Sequence, residues 1–128
     1  MLDIWKRKPA NKDILRDMAE ILYQQKQYDR SLGYCQKLME IDMKDGKALY
    51  QAGMCFQKKG EKDRGQQMCD KAIEMDPTYA PAFSNRGNIK FSNGELDAAL
   101  SDLNTSIKLD NTSAPDFASR AGVKIKLK

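Results

Sequence analysis

Residues 80–113 read APAFSNRGNIKFSNGELDAALSDLNTSIKLDNTS, and residues 46–79 read GKALYQAGMCFQKKGEKDRGQQMCDKAIEMDPTY. Set one above the other, 34 positions apart, their small residues, glycines and acidic ends fall in step. A fixed period of this length constrains the fold more than any composition does, because each unit must look like its neighbour and pack against it. The same phase runs through the rest of the chain. Residues 12–45 form a first unit, 46–79 a second and 80–113 a third. Residues 114–128 start a fourth, since Ala114-Pro115-Asp116-Phe117 echoes Ala80-Pro81-Ala82-Phe83. Pro9 falls in the register of Pro77, so residues 1–11 read as the tail of a helix from a preceding unit.

Each unit carries two helical stripes. In the first unit Leu15, Met18, Ala19 and Leu22 recur at helical spacing, a turn falls near Lys26 and Gln27, and Ser31, Leu32, Cys35, Leu38 and Met39 mark a second helix. Gly60 and Gly94 stand 34 apart at the matching turns, where a left-handed residue ends a helix well. Asp45-Gly46 and Asp76-Pro77 close the units. The final segment pulls two ways. Val123 to Lys128 alternates apolar and basic residues as a strand would, whereas the repeat register and Pro115 at a helix start predict a helix, the expectation retained here.

A 34-residue unit of two helices resembles the tetratricopeptide repeat. The residues that carry the likeness are the bulky Leu15, Leu49, Phe83 and Phe117 opening each first helix. With them go the small Ala19, Gly53, Gly87 and Ala121 later in it, and Ser31, Gly65 and Ala99 early in the second helix. The chain departs from the pattern at Lys90, where an aromatic is usual, at Leu38, where a small residue is usual, and in lacking the opening Trp. The resemblance implies an all-α right-handed superhelix, a single domain of about three full repeats with flanking half repeats. One unit cannot bury its own apolar stripe, so stacked units share a continuous core.

The same resemblance implies a non-catalytic module that holds a peptide or helix of another protein in a concave groove lined by the first helices. Transferred position by position, the groove residues are Arg16, Glu20, Tyr23, Tyr50, Gln51, Met54, Lys58, Asn85, Asn88 and Phe91. Aromatic anchors and amides that both donate and accept suit an extended peptide. Some relatives clamp the C-terminal carboxylates of heat-shock chaperones with five Lys, Arg and Asn side chains. The matching positions here are Arg16, Glu20, Gln51, Pro81 and Asn85, a set with one cation and one opposing carboxylate, so that clamp is not expected. An Asn ladder, used by another sub-family, has one rung here, at Asn85 among Asp17, Gln51 and Ser119.

Composition excludes other classes. The chain has 128 residues, three cysteines and no histidine. Without histidine the commonest general base and metal ligand is missing, and no phosphate-loop, zinc or nucleophile-elbow pattern occurs. No enzyme activity, cofactor or metal is expected. The net charge of +4 gathers at the ends, in Lys6, Arg7, Lys8, Lys124, Lys126 and Lys128, and the body is near neutral. That argues against a nucleic-acid surface. No apolar run is long enough to span a bilayer, and Met1 to Lys8 lacks the apolar stretch of a secretory leader. An odd number of cysteines then fits a reducing, cytoplasmic setting with Cys35, Cys55 and Cys69 as buried thiols. Glu40 and Lys44 are expected to pair across one helical turn. Two alternatives stay open: a self-assembling segment driven by terminal apolar residues such as Ile4, Trp5, Phe117, Ile125 and Leu127, and an accessory module of a larger protein.

Overall fold

The computed structural model describes residues 11–128; the expected helix tail at 1–10, with Ile4 and Trp5, lies outside them. The described residues form seven helices in chain order: α1 (Asn11–Gln24), α2 (Tyr28–Ile41), α3 (Gly46–Lys58), α4 (Lys62–Met75), α5 (Ala80–Ser92), α6 (Leu96–Leu109) and α7 (Ala114–Leu127). They pack as the antiparallel pairs α1/α2, α3/α4 and α5/α6, with α7 added last. The result is an all-α right-handed superhelix of about three repeats.

The turns explain why the helices break where they do. Lys26, Gly60 and Gly94, each 34 apart, hold positive φ of 63°, 86° and 83°. The left-handed residue reverses the chain after each first helix. The following amide then reaches back to an otherwise unpaired carbonyl: Gln27 to Leu22 at 2.8 Å, Glu61 to Phe56 at 2.8 Å and Glu95 to Lys90 at 2.9 Å. Lys26 does this without glycine's freedom. Between units a different device recurs. Asp42, Asp76 and Asp110 follow the second helices, and their carboxylates accept the amides of Lys44, Thr78 and Thr112. Each forms the short local loop that aspartate favours. Asp45 then caps α3 by accepting the amides of Lys47 and Ala48, both at 3.1 Å.

Small residues set how closely paired helices approach. A Cβ on Gly53 would stand 3.1 Å from the Gly65 carbonyl oxygen, and one on Gly65 would stand 3.0 Å from that of Gly53. Backbone therefore meets backbone in the second pair. In the first pair the same two positions hold Ala19 and Ser31, and Ser31 Oγ donates to the Ala19 carbonyl at 2.6 Å. Buried Leu38, Leu49, Ile89, Leu103 and Val123 fill the space around the crossings. The three thiols are fully buried and unpaired with one another.

One expectation holds and one changes. The alternation at 123–128 does not make a strand: α7 continues through Leu127, with Val123 buried and Lys124 to Leu127 exposed. The Glu40–Lys44 pair does not form a helical turn, because α2 ends at Ile41 and Lys44 lies in the turn beyond it. Among first helices, α1 touches α3, α3 touches α5 and α5 touches α7, whereas the second helices stand further apart. The wall of first helices is thus the tighter, inner one.

Candidate functional site

The groove candidates lie on α1, α3 and α5, and their neighbours decide what each is free to do. Arg16 is tied inward. Its Nη2 donates to buried Asp45 at 2.9 Å and its Nη1 to Asp13 at 3.1 Å, while its buried Nε meets no acceptor. Lys12 adds a second cation to Asp45, at 3.7 Å, and one to Asp42, at 3.0 Å. The single cation among the clamp positions is therefore already matched by a carboxylate. Glu20 and Lys58 are exposed.

The aromatic candidates are half-buried. Tyr50 packs edge-on against Tyr79, ring centres 5.5 Å apart, and Tyr23 packs edge-on against Tyr28 at 5.6 Å. Burial raises the phenol pKa of all three of Tyr23, Tyr50 and Tyr79, so they remain neutral donors at ordinary pH. Phe91 supports the core around Ala99, Leu103 and Val123. The amides differ among themselves. Asn85 Nδ2 donates to Cys69 Sγ at 3.3 Å. Gln51 Nε2 is buried and meets no oxygen acceptor; the Cys55 thiol is the group its amide acts on. Asn88 and Met54 are half-buried.

Arg16, Glu20, Tyr50 and Gln51 come together in one cavity of about 270 Å3, with Lys47 and Tyr79 completing its wall. Tyr50 also lines a neighbouring cavity of about 250 Å3, beside Pro81, Ser84 and Asp116. Tyr23, Met54, Lys58, Asn85, Asn88 and Phe91 line neither. Two participants escaped the sequence reading. Tyr79 sits in the turn before α5, outside any first-helix register. Asp116 occupies the register of the buried Ala48 and Ala82. It is 3% exposed and accepts hydroxyl hydrogen bonds from Ser84 and from Ser106, the latter at 2.5 Å. It lies in the first turn of α7, which Ser113 caps by accepting the Asp116 amide.

A larger apolar hollow, about 560 Å3, lies between the second helices α2 and α4, lined by Met39, Met43, Leu49 and Met75. No buried unpaired side-chain polar atom lines it. No group of three or more metal-ligating side chains occurs among the described residues. Nor is any described helix long and apolar enough to cross a membrane. Burial raises the thiol pKa of Cys35 to about 12 and of Cys69 to about 11, and raises that of Cys55 too. None is a ready nucleophile.

Comparison with known folds places this geometry. The first repeat domain of human RPAP3 superposes with a TM-score of 0.87 at 18% identity, covering 94% of each chain. The corresponding domain of Spaghetti (RPAP3), bound to an HSP90 peptide, gives 0.85 at 17%, covering 94% of this chain and 95% of that one. The Yersinia enterocolitica type III secretion chaperone SycD, in complex with a peptide of the translocator YopD, gives 0.82 at 20%, covering 94% and 98%. At these identities the likeness establishes the fold alone. No curated protein sequence matches the chain. Two sequence profiles described as tetratricopeptide repeat match residues 46–79 and 68–101. Residues 46–101 thus carry tetratricopeptide repeats, and the 34-residue period, the three helix pairs with α7 added, and the small residues at each crossing are those of a tetratricopeptide repeat protein.

Proposed function

We propose that the wall of first helices binds a peptide segment of a partner protein, and that Gln51 and Tyr50 lie at the centre of the contact. The observation that carries this reading is Gln51 Nε2, a buried amide donor that has the weakly accepting Cys55 thiol beside it but meets no oxygen acceptor, at the edge of a cavity of about 270 Å3. A buried unpaired donor costs about 1–3 kcal/mol, which a peptide carbonyl placed there would recover. Half-buried Tyr50, Tyr79, Met54 and Asn88 offer adjoining contact surface. Solved structures of the same fold hold peptides, which supports the same use here.

The ligand differs from a chaperone tail ending in paired carboxylates. Arg16 is engaged by Asp45 and Asp13, Glu20 is exposed beside it, and the buried Asp116 carboxyl lies further along. Such a surface favours an uncharged or basic internal segment over an acidic C-terminus. Buried, free thiols are in keeping with a cytoplasmic location. The proposal contains no catalytic step.

The test is selection of binding peptides from a random displayed library, followed by titration of the winners against the wild type and Gln51→Leu. Gln51→Leu keeps the bulk and removes the donor. A loss of at least about tenfold is expected, with circular dichroism confirming that the helices persist. Peptides that bind both proteins equally, or none recovered at all, would refute the groove as assigned.

A further inference from the structure

Three aspartates of the described chain have buried carboxyls, and one of them lacks a cation. Asp45, Asp102 and Asp116 are 8%, 4% and 3% exposed. Asp45 meets Arg16 at 2.9 Å and Lys12 at 3.7 Å. Asp102 meets Arg86 at 2.8 Å and Lys90 at 3.1 Å. Asp116 meets no cation among the described residues; its two oxygens accept from the hydroxyls of Ser84 and Ser106. It forms part of the wall of the cavity of about 250 Å3 beside Tyr50.

The repeat register shows how that cavity arises. A residue in the second turn of each first helix faces the residue just before the next first helix. In the first repeat these are Arg16 and Asp45, ion-paired at 2.9 Å, and in the second Tyr50 and Tyr79, packed edge-on with ring centres 5.5 Å apart. In the third they are Ser84 and Ser113, and both line the cavity. Two small side chains stand where a salt bridge or two rings fill the earlier repeats, so space is left over. At its wall the residue that is Ala48 and Ala82 earlier is Asp116, and the residue that is Leu38 and Ala72 is Ser106. Apolar side chains serve the fold at both positions in the two preceding repeats. A carboxyl there carries a desolvation cost that packing does not require.

We infer that this cavity is the subsite for a lysine side chain of the bound peptide, with Asp116 as the acceptor of its ammonium. The inference deepens the groove reading and rests on it. The Tyr50 ring, Pro81 and Pro115 supply apolar surface for the four-carbon stem, and the ammonium brings three donors to a wall of oxygen atoms. Asp110 adds a second carboxyl to the lining, and no cationic side chain lines it. Lysine is preferred to arginine because both Asp116 oxygens already hold a hydroxyl. The paired face that a guanidinium fork grips is taken, whereas a point charge needs one free lone pair. A lysine there would give Asp116 what Lys12 and Arg16 give Asp45 from within the chain.

The test uses the peptides selected on the full chain, which are expected to share one lysine. Replacing it with norleucine should weaken binding to the wild type at least about tenfold, and replacing it with arginine at least about threefold. The same norleucine change should cost Asp116→Asn less than about twofold. Asp116→Asn keeps the bulk, and circular dichroism checks that it folds. Ser84→Tyr with Ser113→Tyr rebuilds the ring pair of the preceding repeat; it should fill the cavity and remove the lysine dependence by a second route. Peptides that need Gln51 but no lysine would overturn the subsite and leave the groove standing. A lysine whose loss costs wild type and Asp116→Asn alike, or an arginine that binds as well, would overturn it too. Recovery of no peptide would overturn the groove and the subsite together.

Discussion

Replacing Asp102 with alanine tests how the third repeat is held together. Asp102 is 4% exposed and accepts from Arg86 and Lys90, whose side chains are 20% and 17% exposed. The hydrogen bonds that Arg86 donates to Asp102 are the main reason its guanidinium is held so firmly charged. Removing the carboxylate leaves two largely desolvated cations side by side. Breaking a buried pair costs about 3–5 kcal/mol. Arg86 keeps Asp70 at 2.8 Å, so the low end applies, about 3 kcal/mol. For a chain of this size that lowers Tm by roughly 10 °C. Urea titration followed by circular dichroism at 222 nm would read the loss as a lower midpoint with little change in slope. A companion variant sharpens the test. Arg86→Ala, Lys90→Phe and Asp102→Met together install the residues that Ala52, Phe56 and Met68 supply one repeat earlier. A well-packed apolar set of similar volume should restore stability to within about 1 kcal/mol of wild type or exceed it. If Asp102→Ala alone melts with the wild type, the cations have turned to solvent and the ion cluster contributes nothing to folding.

Adding a methyl at Gly65 pushes on the Gly53 carbonyl, so Gly65→Ala should lose about 1–3 kcal/mol. Gly33→Ala, where a Cβ meets nothing within 4 Å, should gain up to about 1 kcal/mol by helix propensity. Lys26→Gly should likewise gain roughly 1 kcal/mol by relieving a left-handed backbone; urea midpoints distinguish all three. Native Cys35, Cys55 and Cys69 should resist a thiol-disulfide reagent at pH 8, since burial keeps them protonated, and all three should react once urea unfolds the chain. Fast labelling of Cys35 in the native state would contradict its burial. Local hydrogen bonds depress the carboxyls of Asp76 and Asp110, chiefly those from the Thr78 and Thr112 hydroxyls, and Lys12 depresses that of Asp42. A depressed carboxylate stabilises the fold above its unfolded pKa, about 4. That contribution should fade as pH falls through and below this value. The triple Asp→Asn variant should flatten the acid limb of a stability-versus-pH curve, and an unchanged limb would refute the assignment.

The architecture was legible because close packing dictates residue size at fixed intervals. Gly53 and Gly65 had to be small for two backbones to touch, and Gly60 and Gly94 had to tolerate positive φ; such demands leave marks in sequence. The turn at Lys26 was legible only through its register, since lysine carries no sign of a left-handed backbone. The candidate site was legible as a wall and not as a set of contacts. Helical periodicity places Arg16 and Asn85 on the inner face, yet Arg16 turns to Asp45 and Asn85 to Cys69, partners 29 and 16 residues away. Rotamer choice belongs to tertiary neighbours, which a local pattern does not encode. Tyr79 reaches the cavity from a turn, where no helical stripe could mark it. Glu40 and Lys44 failed as a pair because the helix stopped three residues before the second of them.

Every substantial helix contact in the described chain joins an element to its next neighbour or to the one after. Such a chain has short loops to close before contacts reward it, so it should collapse rapidly and locally, without the slow search that distant strand pairing imposes. Nor has it a centre that all parts must meet at once. Opening can begin at either end and travel inward one repeat at a time, which predicts amide exchange slowest in α3 to α5 and progressively faster toward α7. Any contact that held α7 in place would then do more than add stability there: it would slow the breathing of the repeats behind it.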